Sequence, residues 1–147
     1  HRAVASFDDR LEMVRLAAAG DALLAVTDIE SGRPGPSYTL DTVRAVAAGL
    51  PGEPLYFVAG SDSLAQLAAW KLPDELLAAC RFVVAPRPGF PVEDAEPRFR
   101  DRVLVLDVPP LDVSSHDIRD RVRRGASIRH LVPPPVEAFI REKKLYT

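Results

Sequence analysis

Three short apolar runs constrain this chain more than any other feature: "PLYFVAG" at 54–60, "RFVVAP" at 81–86 and "VLVLDV" at 103–108. Each is continuous, rich in β-forming residues and too short for a helix of its own, the pattern of a strand covered on both faces. "ALLAVTDIE" at 22–30 also reads as a strand. The segments between and around these runs carry helical spacing instead. "SFDDRLEMVRLAAAG" sets Phe7, Leu11, Val14 and Ala18 on one face, with Ser6 as cap, Asp8 and Asp9 in the first turn and Gly20 as stop. Residues 39 to 50 repeat the spacing through Leu40, Val43, Val46 and Ala47, with Thr39 as the natural N-cap. "SDSLAQLAAW" predicts one helix, Pro73 opens another through "DELLAAC", and "PPPVEAFIREKKLY" leads into a last amphipathic helix. Apolar strands alternating with helices predict an α/β domain with a mainly parallel sheet.

Length and charge narrow the class. The 147 residues are expected to form a single domain, 1–147, and 47% hydrophobic with 27% charged residues is a globular composition. A net charge of −2 gives no ground for a nucleic-acid or membrane partner, so any basic function must be local. No apolar run approaches a membrane span and no signal peptide is visible, and the lone Cys80 cannot form an internal disulfide; together these predict a cytoplasmic protein. The chain opens "HRAVAS" without methionine and enters a helix almost at once, so a preceding segment is expected.

In open parallel sheets ligands gather beyond the carboxyl ends of the strands. There "PLYFVAG" passes into Gly60-Ser61-Asp62-Ser63, where glycine admits a ligand to the backbone and Asp62 suits helix NH groups or a ribose hydroxyl. The plain alternative is that Asp62 or Ser61 only caps the helix. Arg87 follows the next strand, where a phosphate or ribose would lie, and Asp107 reads as structural. Trp70 and Lys71 mark a helix-to-helix corner at which an indole can pack or stack on a planar ring. Thr39, at a helix start, offers NH groups to an anion such as a carboxylate.

Near the end, "DVSSHDIRDRVRRG" (112–125) sets Ser114 or Ser115 as the N-cap of a helix whose apolar face carries Ile118 and Val122 and which Gly125 closes. The unpaired first-turn NH groups and the helix dipole favour an anion, and Arg119, one turn beyond Ser115, can return to the same end. A capped surface helix is the competing reading. His1, His116, His130 and Cys80 share no metal-ligand spacing, so no protein-bound metal is expected. Neither G-x-S-x-G, Walker A nor G-x-G-x-x-G occurs, which argues against acyl hydrolysis, P-loop chemistry and ordinary dinucleotide oxidoreduction.

In order, "SYTLDTV", "YFVAGSDSLAQLAAWKLPDELLAACRFVVAPRPGF", "VSSHDIRDRVRRG" and "LVPPPVEAFIREKKLY" closely resemble the bacterial nicotinate mononucleotide adenylyltransferases, over nearly the whole chain. The resemblance implies a Rossmann-like nucleotidyltransferase fold, three-layer α/β/α with a mainly parallel sheet, and transfer of AMP from ATP to nicotinate mononucleotide. The products are nicotinate adenine dinucleotide and pyrophosphate, in NAD biosynthesis, with Mg²⁺ held mainly by the substrate phosphates. It assigns Ser114, Ser115 and Arg119 to an S-S-x-x-x-R motif on the ATP phosphates, and Gly60 and Asp62 to a G-x-D beside the nucleotide ribose. Trp70 corresponds to the ring stacked on nicotinate, the Lys71 backbone and Thr39 lie at its carboxylate, and Arg87 corresponds to a contact with substrate phosphate or ribose.

Two departures accompany the resemblance. His116 stands where the family usually has threonine. The family's first strand and its G-G-x-F-D-P-x-H-x-G-H loop, which binds and polarises the reacting phosphates, have no counterpart here; "HR" at positions 1 and 2 looks like the remnant of a basic loop that follows them. The expectation is therefore a nucleotidyltransferase domain lacking its N-terminal strand and histidine loop, with the catalytic residues themselves unassigned. Two alternatives stay open: a related nucleotidyltransferase with another phosphate acceptor such as phosphopantetheine, against which "SYT" and "WK" argue, and a non-catalytic nucleotide-binding domain if the chain begins at His1. Assembly into a homo-oligomer is left open.

Overall fold

The computed structural model describes residues 5–110 and 112–147. They divide into two compact units, Ile29–Asp112 and a second unit that joins the stretch ending at Asp28 to Val113–Thr147.

The Ile29–Asp112 unit is built on three parallel strands in the order β1 (Tyr56–Gly60), β2 (Arg81–Ala85), β3 (Leu104–Val105). The β1–β2 register pairs Tyr56 with Arg81 and Gly60 with Ala85, so both strands end level. Helices α2 (Thr39–Gly49), α3 (Ser61–Ala65), α4 (Pro73–Ala79) and the short α5 (Pro97–Arg100) contribute to a core on one face of the sheet. Side chains alternate across a strand, so Phe57, Phe82 and Val84 point together into a core with Leu40, Leu64, Leu67, Leu76 and Phe99. Burying each large side chain there contributes about 2 kcal/mol.

The opposite sheet face departs from the sequence expectation. Tyr56 and Leu104 are half exposed, and Val58 retains 61% of its surface. A continuous apolar run earns two-sided cover only where a second layer is present, and among the described residues none covers these side chains. "ALLAVTDIE" is likewise not a strand: no ladder forms there and Leu23 is 93% exposed. Strand conformation needs a neighbouring strand, and among the described residues no strand pairs with that segment. "VLVLDV" is strand only at Leu104–Val105, with Leu106 NH donating to Val84 O at 2.9 Å.

In the second unit, α1 (Phe7–Ala18), α6 (Ser115–Arg123) and α7 (Pro134–Glu142) enclose a small core of Ile128, Val136 and Ile140. Ser6 caps α1 as expected, accepting from Asp9 NH. The buried side of α1 is not the anticipated one: Phe7 and Val14 are exposed, while Met13 and Leu16 pack on the core. Leu11, Val14 and Ala18 satisfy helical spacing, but so does the neighbouring Met13–Leu16 pair, and α7 selects the latter. Among the described residues no helix is long and apolar enough to cross a membrane. His1 and Arg2 lie outside the described residues.

Candidate functional site

At the carboxyl ends of β1 and β2 the chain gathers Gly60, Asp62 and Arg87. Gly60 is the N-cap of α3, and neither Ser61 nor Asp62 caps that helix, which has no side-chain cap bond. Both side chains turn instead toward the end of β2. Arg87 Nη1 pairs with Asp62 Oδ2 at 2.8 Å, and Arg87 NH donates to Ser61 Oγ at 3.0 Å. The ion pair is only 33% and 27% exposed, so its charge-assisted bond is better shielded than a rim salt bridge. A Cβ added to Gly60 would fall well inside contact distance of Asp62 Oδ1, so glycine is required here for the carboxylate to approach the backbone. Arg87 also lines a cleft of ≈ 480 Å³ with Pro86, Pro88, Phe90, Val105 and Pro110.

The Trp70 corner follows from a break in the anticipated helix. "SDSLAQLAAW" divides into α3 and a single 3-10 turn, Leu67–Ala69, because Gln66 leaves helical geometry. Trp70 ends that turn and meets Phe57 and Phe82 edge-on, each at 6.2 Å between ring centroids. Its indole is thus a partly buried wall of the core. Leu72 then takes a left-handed conformation, φ 50°, which turns the chain sharply into α4.

Lys71 Nζ contacts Asp41 Oδ2 at 3.0 Å and lies 4.3 Å above the Tyr38 ring, which ties this corner to the start of α2. Thr39 is not the cap of α2: Tyr38 holds that position without a side-chain cap bond, and its carbonyl accepts from the NH groups of Asp41 and Thr42. The helix begins one residue earlier than the cap preference of threonine implies. Thr39 lines a cleft of ≈ 210 Å³ with Glu30, Thr42, Tyr56, Phe57 and Cys80. There Thr42 Oγ1 donates to Glu30 Oε1 and accepts from Arg33 Nη1, a small network that the sequence did not signal.

Cys80 sits at the end of α4 and donates its thiol to Leu76 O at 3.4 Å. Burial pushes its pKa up, opposed in lesser degree by a hydrogen bond from the Phe57 main chain.

In the second unit, Ser114 is the N-cap of α6 and accepts from Asp117 NH at 3.0 Å, while its hydroxyl donates to Asp117 Oδ2 at 2.5 Å. Ser115 and His116 are exposed in the first turn and Arg119 is half-buried on the next. Among the described residues no carboxylate pairs with Arg119. Arg123 and Arg124 are exposed and share Asp120. The Asp117 carboxylate, in the first turn, offsets part of the dipole's attraction for an anion. Gly125, φ 66°, closes the helix: its NH reaches Val122 O, and Ala126 NH reaches Arg121 O at 2.8 Å. Among the described residues no group of three or more His, Cys, Asp and Glu is arranged to hold a metal ion.

Residues 1–121 match the cytidylyltransferase-like family model. A probable nicotinate-nucleotide adenylyltransferase of Geobacter sulfurreducens is 40% identical over 161 residues, covering 95% of this chain and 74% of that protein. One of Geobacillus kaustophilus is 42% identical over 146 residues, covering 99% of this chain and 65% of that protein. The chain therefore spans about two thirds to three quarters of the length of these relatives. Solved structures of Plasmodium falciparum nicotinic acid mononucleotide adenylyltransferase, complexed with APC and with NaAD, superpose with a TM-score of 0.76. They are 18% identical and cover 97% of this chain, with 76% and 75% of the other covered, which shows a shared Rossmann-like nucleotidyltransferase fold. With such identity along nearly its entire length, the chain belongs to the nicotinate-nucleotide adenylyltransferase family.

Proposed function

We propose that this protein transfers AMP from ATP to nicotinate mononucleotide, forming nicotinate adenine dinucleotide and pyrophosphate. The observation that carries the reading is the 40–42% identity to probable nicotinate-nucleotide adenylyltransferases across 95–99% of the chain. The reaction needs no protein nucleophile. A phosphate oxygen of the mononucleotide forms a bond to the α-phosphorus of ATP, the bond from that phosphorus to the bridging oxygen breaks, and pyrophosphate leaves with the electron pair. Catalysis is then alignment and charge stabilisation.

Each unit carries part of that work in this reading. In the Ile29–Asp112 unit, Gly60 and Asp62 receive the nucleotide ribose, and Arg87 meets substrate phosphate or ribose. Trp70 offers its ring to the nicotinate, with Thr39 and the Lys71 backbone at the carboxylate. The Lys71 ammonium is engaged by Asp41 and Tyr38, which leaves its main chain as the contact. In the other unit, Ser114, Ser115 and Arg119 bind ATP phosphates, with Arg119 supplying the charge. Mg²⁺ would be held mainly by the substrate phosphate oxygens and would supply charge neutralisation there. The substrates are small and anionic and the thiol is free, which fits a cytoplasmic enzyme.

An acceptor comparison tests the reading. Pyrophosphate release from ATP is expected with nicotinate mononucleotide, less with nicotinamide mononucleotide, and not with phosphopantetheine. Release driven by phosphopantetheine alone would replace this reading with that of a related nucleotidyltransferase.

A further inference from the structure

We propose that Ser61 is a positioning residue for Arg87, holding its main chain so that the guanidinium is presented at the end of the sheet. Ser61 is 2% exposed and is the one buried polar side chain among the described residues. Burying a hydroxyl is unfavourable unless its hydrogen bonds are made, so its retention calls for a partner. That partner is Arg87 NH at 3.0 Å.

The surrounding sequence makes this bond important. Arg87 stands between Pro86 and Pro88, neither of which has an NH, so its amide is the one main-chain donor of that three-residue segment. It also lies beyond Ala85, the last residue of the β1–β2 ladder, and pairs only in an isolated antiparallel bridge with Phe90, whose NH donates to Arg87 O at 3.2 Å. Ser61 takes the Arg87 NH. The adjacent Asp62 takes the other end of the same residue, binding Arg87 Nη1 at 2.8 Å. Two consecutive residues thus hold both the backbone and the guanidinium of one arginine, while Pro88 restricts Arg87 to extended geometry. A side chain fixed at two points loses little freedom when it meets an anion, and the same arginine lines the neighbouring cleft.

The structural part of this inference stands on its own; its kinetic part rests on the adenylyltransferase reading. The test is Ser61→Ala in the full-length protein. Amide exchange at Arg87 is expected to quicken about tenfold or more, with the core amides of Val83 and Val84 unchanged. The KM for nicotinate mononucleotide is expected to rise about three- to tenfold with kcat held within about twofold, and Ser61→Thr, which keeps the oxygen, should restore both. On an Arg87→Ala background, Ser61→Ala should add nothing further to KM. Unchanged exchange at Arg87, equal acceleration at Val83 and Val84, or an unchanged KM would each overturn the role. If the wild-type protein transfers no AMP to nicotinate mononucleotide, the functional reading falls, and exchange at Arg87 still decides what Ser61 does.

Discussion

At the scale of single residues, Trp70 packs in the core wall and, in the proposed function, also stacks on nicotinate, so truncation to alanine would mix the two effects. Its edge-on contacts with Phe57 and Phe82 make it part of the core wall, so Trp70→Ala is expected to cost about 2–4 kcal/mol of stability whatever it does to substrate. Trp70→Phe keeps most of the packing. It should raise the KM for nicotinate mononucleotide and leave that for ATP unmoved, and steady-state kinetics showing an effect on ATP alone would contradict the stacking role. Arg119 differs in having no carboxylate partner among the described residues. Arg119→Ala should raise the KM for ATP and slow turnover by about tenfold or more, whereas Arg124→Ala, which removes an exposed contact to Asp120, should leave both within about twofold. Cys80 gives a prediction without substrate. Burial disfavours its thiolate, so alkylation at pH 8 should be slow in the folded protein and fast in denaturant. Because the folded pKa lies above the unfolded one, this stabilising contribution is complete below the unfolded value and is lost as pH rises through the folded one.

At the scale of elements, helix α6 depends on its two ends. Ser114→Ala removes the bond to Asp117 NH, and Gly125→Ala forces a side chain into φ 66°; each should lower stability by about 1 kcal/mol in denaturant unfolding. Ser114→Ala should also weaken ATP binding if the helix start holds phosphate, which Gly125→Ala, at the far end, should not. The same elements show what was legible beforehand. Caps and stops such as Ser6, Ser114 and Gly125 are local chemistry, so the sequence displays them directly. The strands β1 and β2 were legible for the same reason, as continuous apolar runs of the right length. What was not legible depends on partners. "ALLAVTDIE" has strand composition but no neighbouring strand among the described residues, and the buried face of α1 was chosen by α7 from two stripes of equal periodicity. Thr39 illustrates a subtler failure: cap preference named the residue, but the start of α2 is set at Tyr38, whose carbonyl takes the first-turn NH groups. Gly60, Asp62 and Arg87 were each singled out from strand ends, but the clamp of Ser61 and Asp62 on Arg87 was hidden because it runs between residues 26 and 25 positions apart.

At the scale of the whole molecule, the level ends of β1 and β2 are what make a site available. Parallel pairing brings Gly60 beside Ala85, so the segments that leave each strand emerge together and Asp62 meets Arg87. One face of that sheet supports the site through the Phe57, Phe82 and Trp70 cluster. Whether this scaffold serves adenylyl transfer to nicotinate mononucleotide is decided by product analysis. The full-length protein incubated with ATP, Mg²⁺ and nicotinate mononucleotide should yield nicotinate adenine dinucleotide and pyrophosphate in equal amounts, at a rate that Arg119→Ala and Arg87→Ala each reduce. The account is contradicted if folded wild-type protein forms no dinucleotide under these conditions, or forms it at a rate that neither substitution changes.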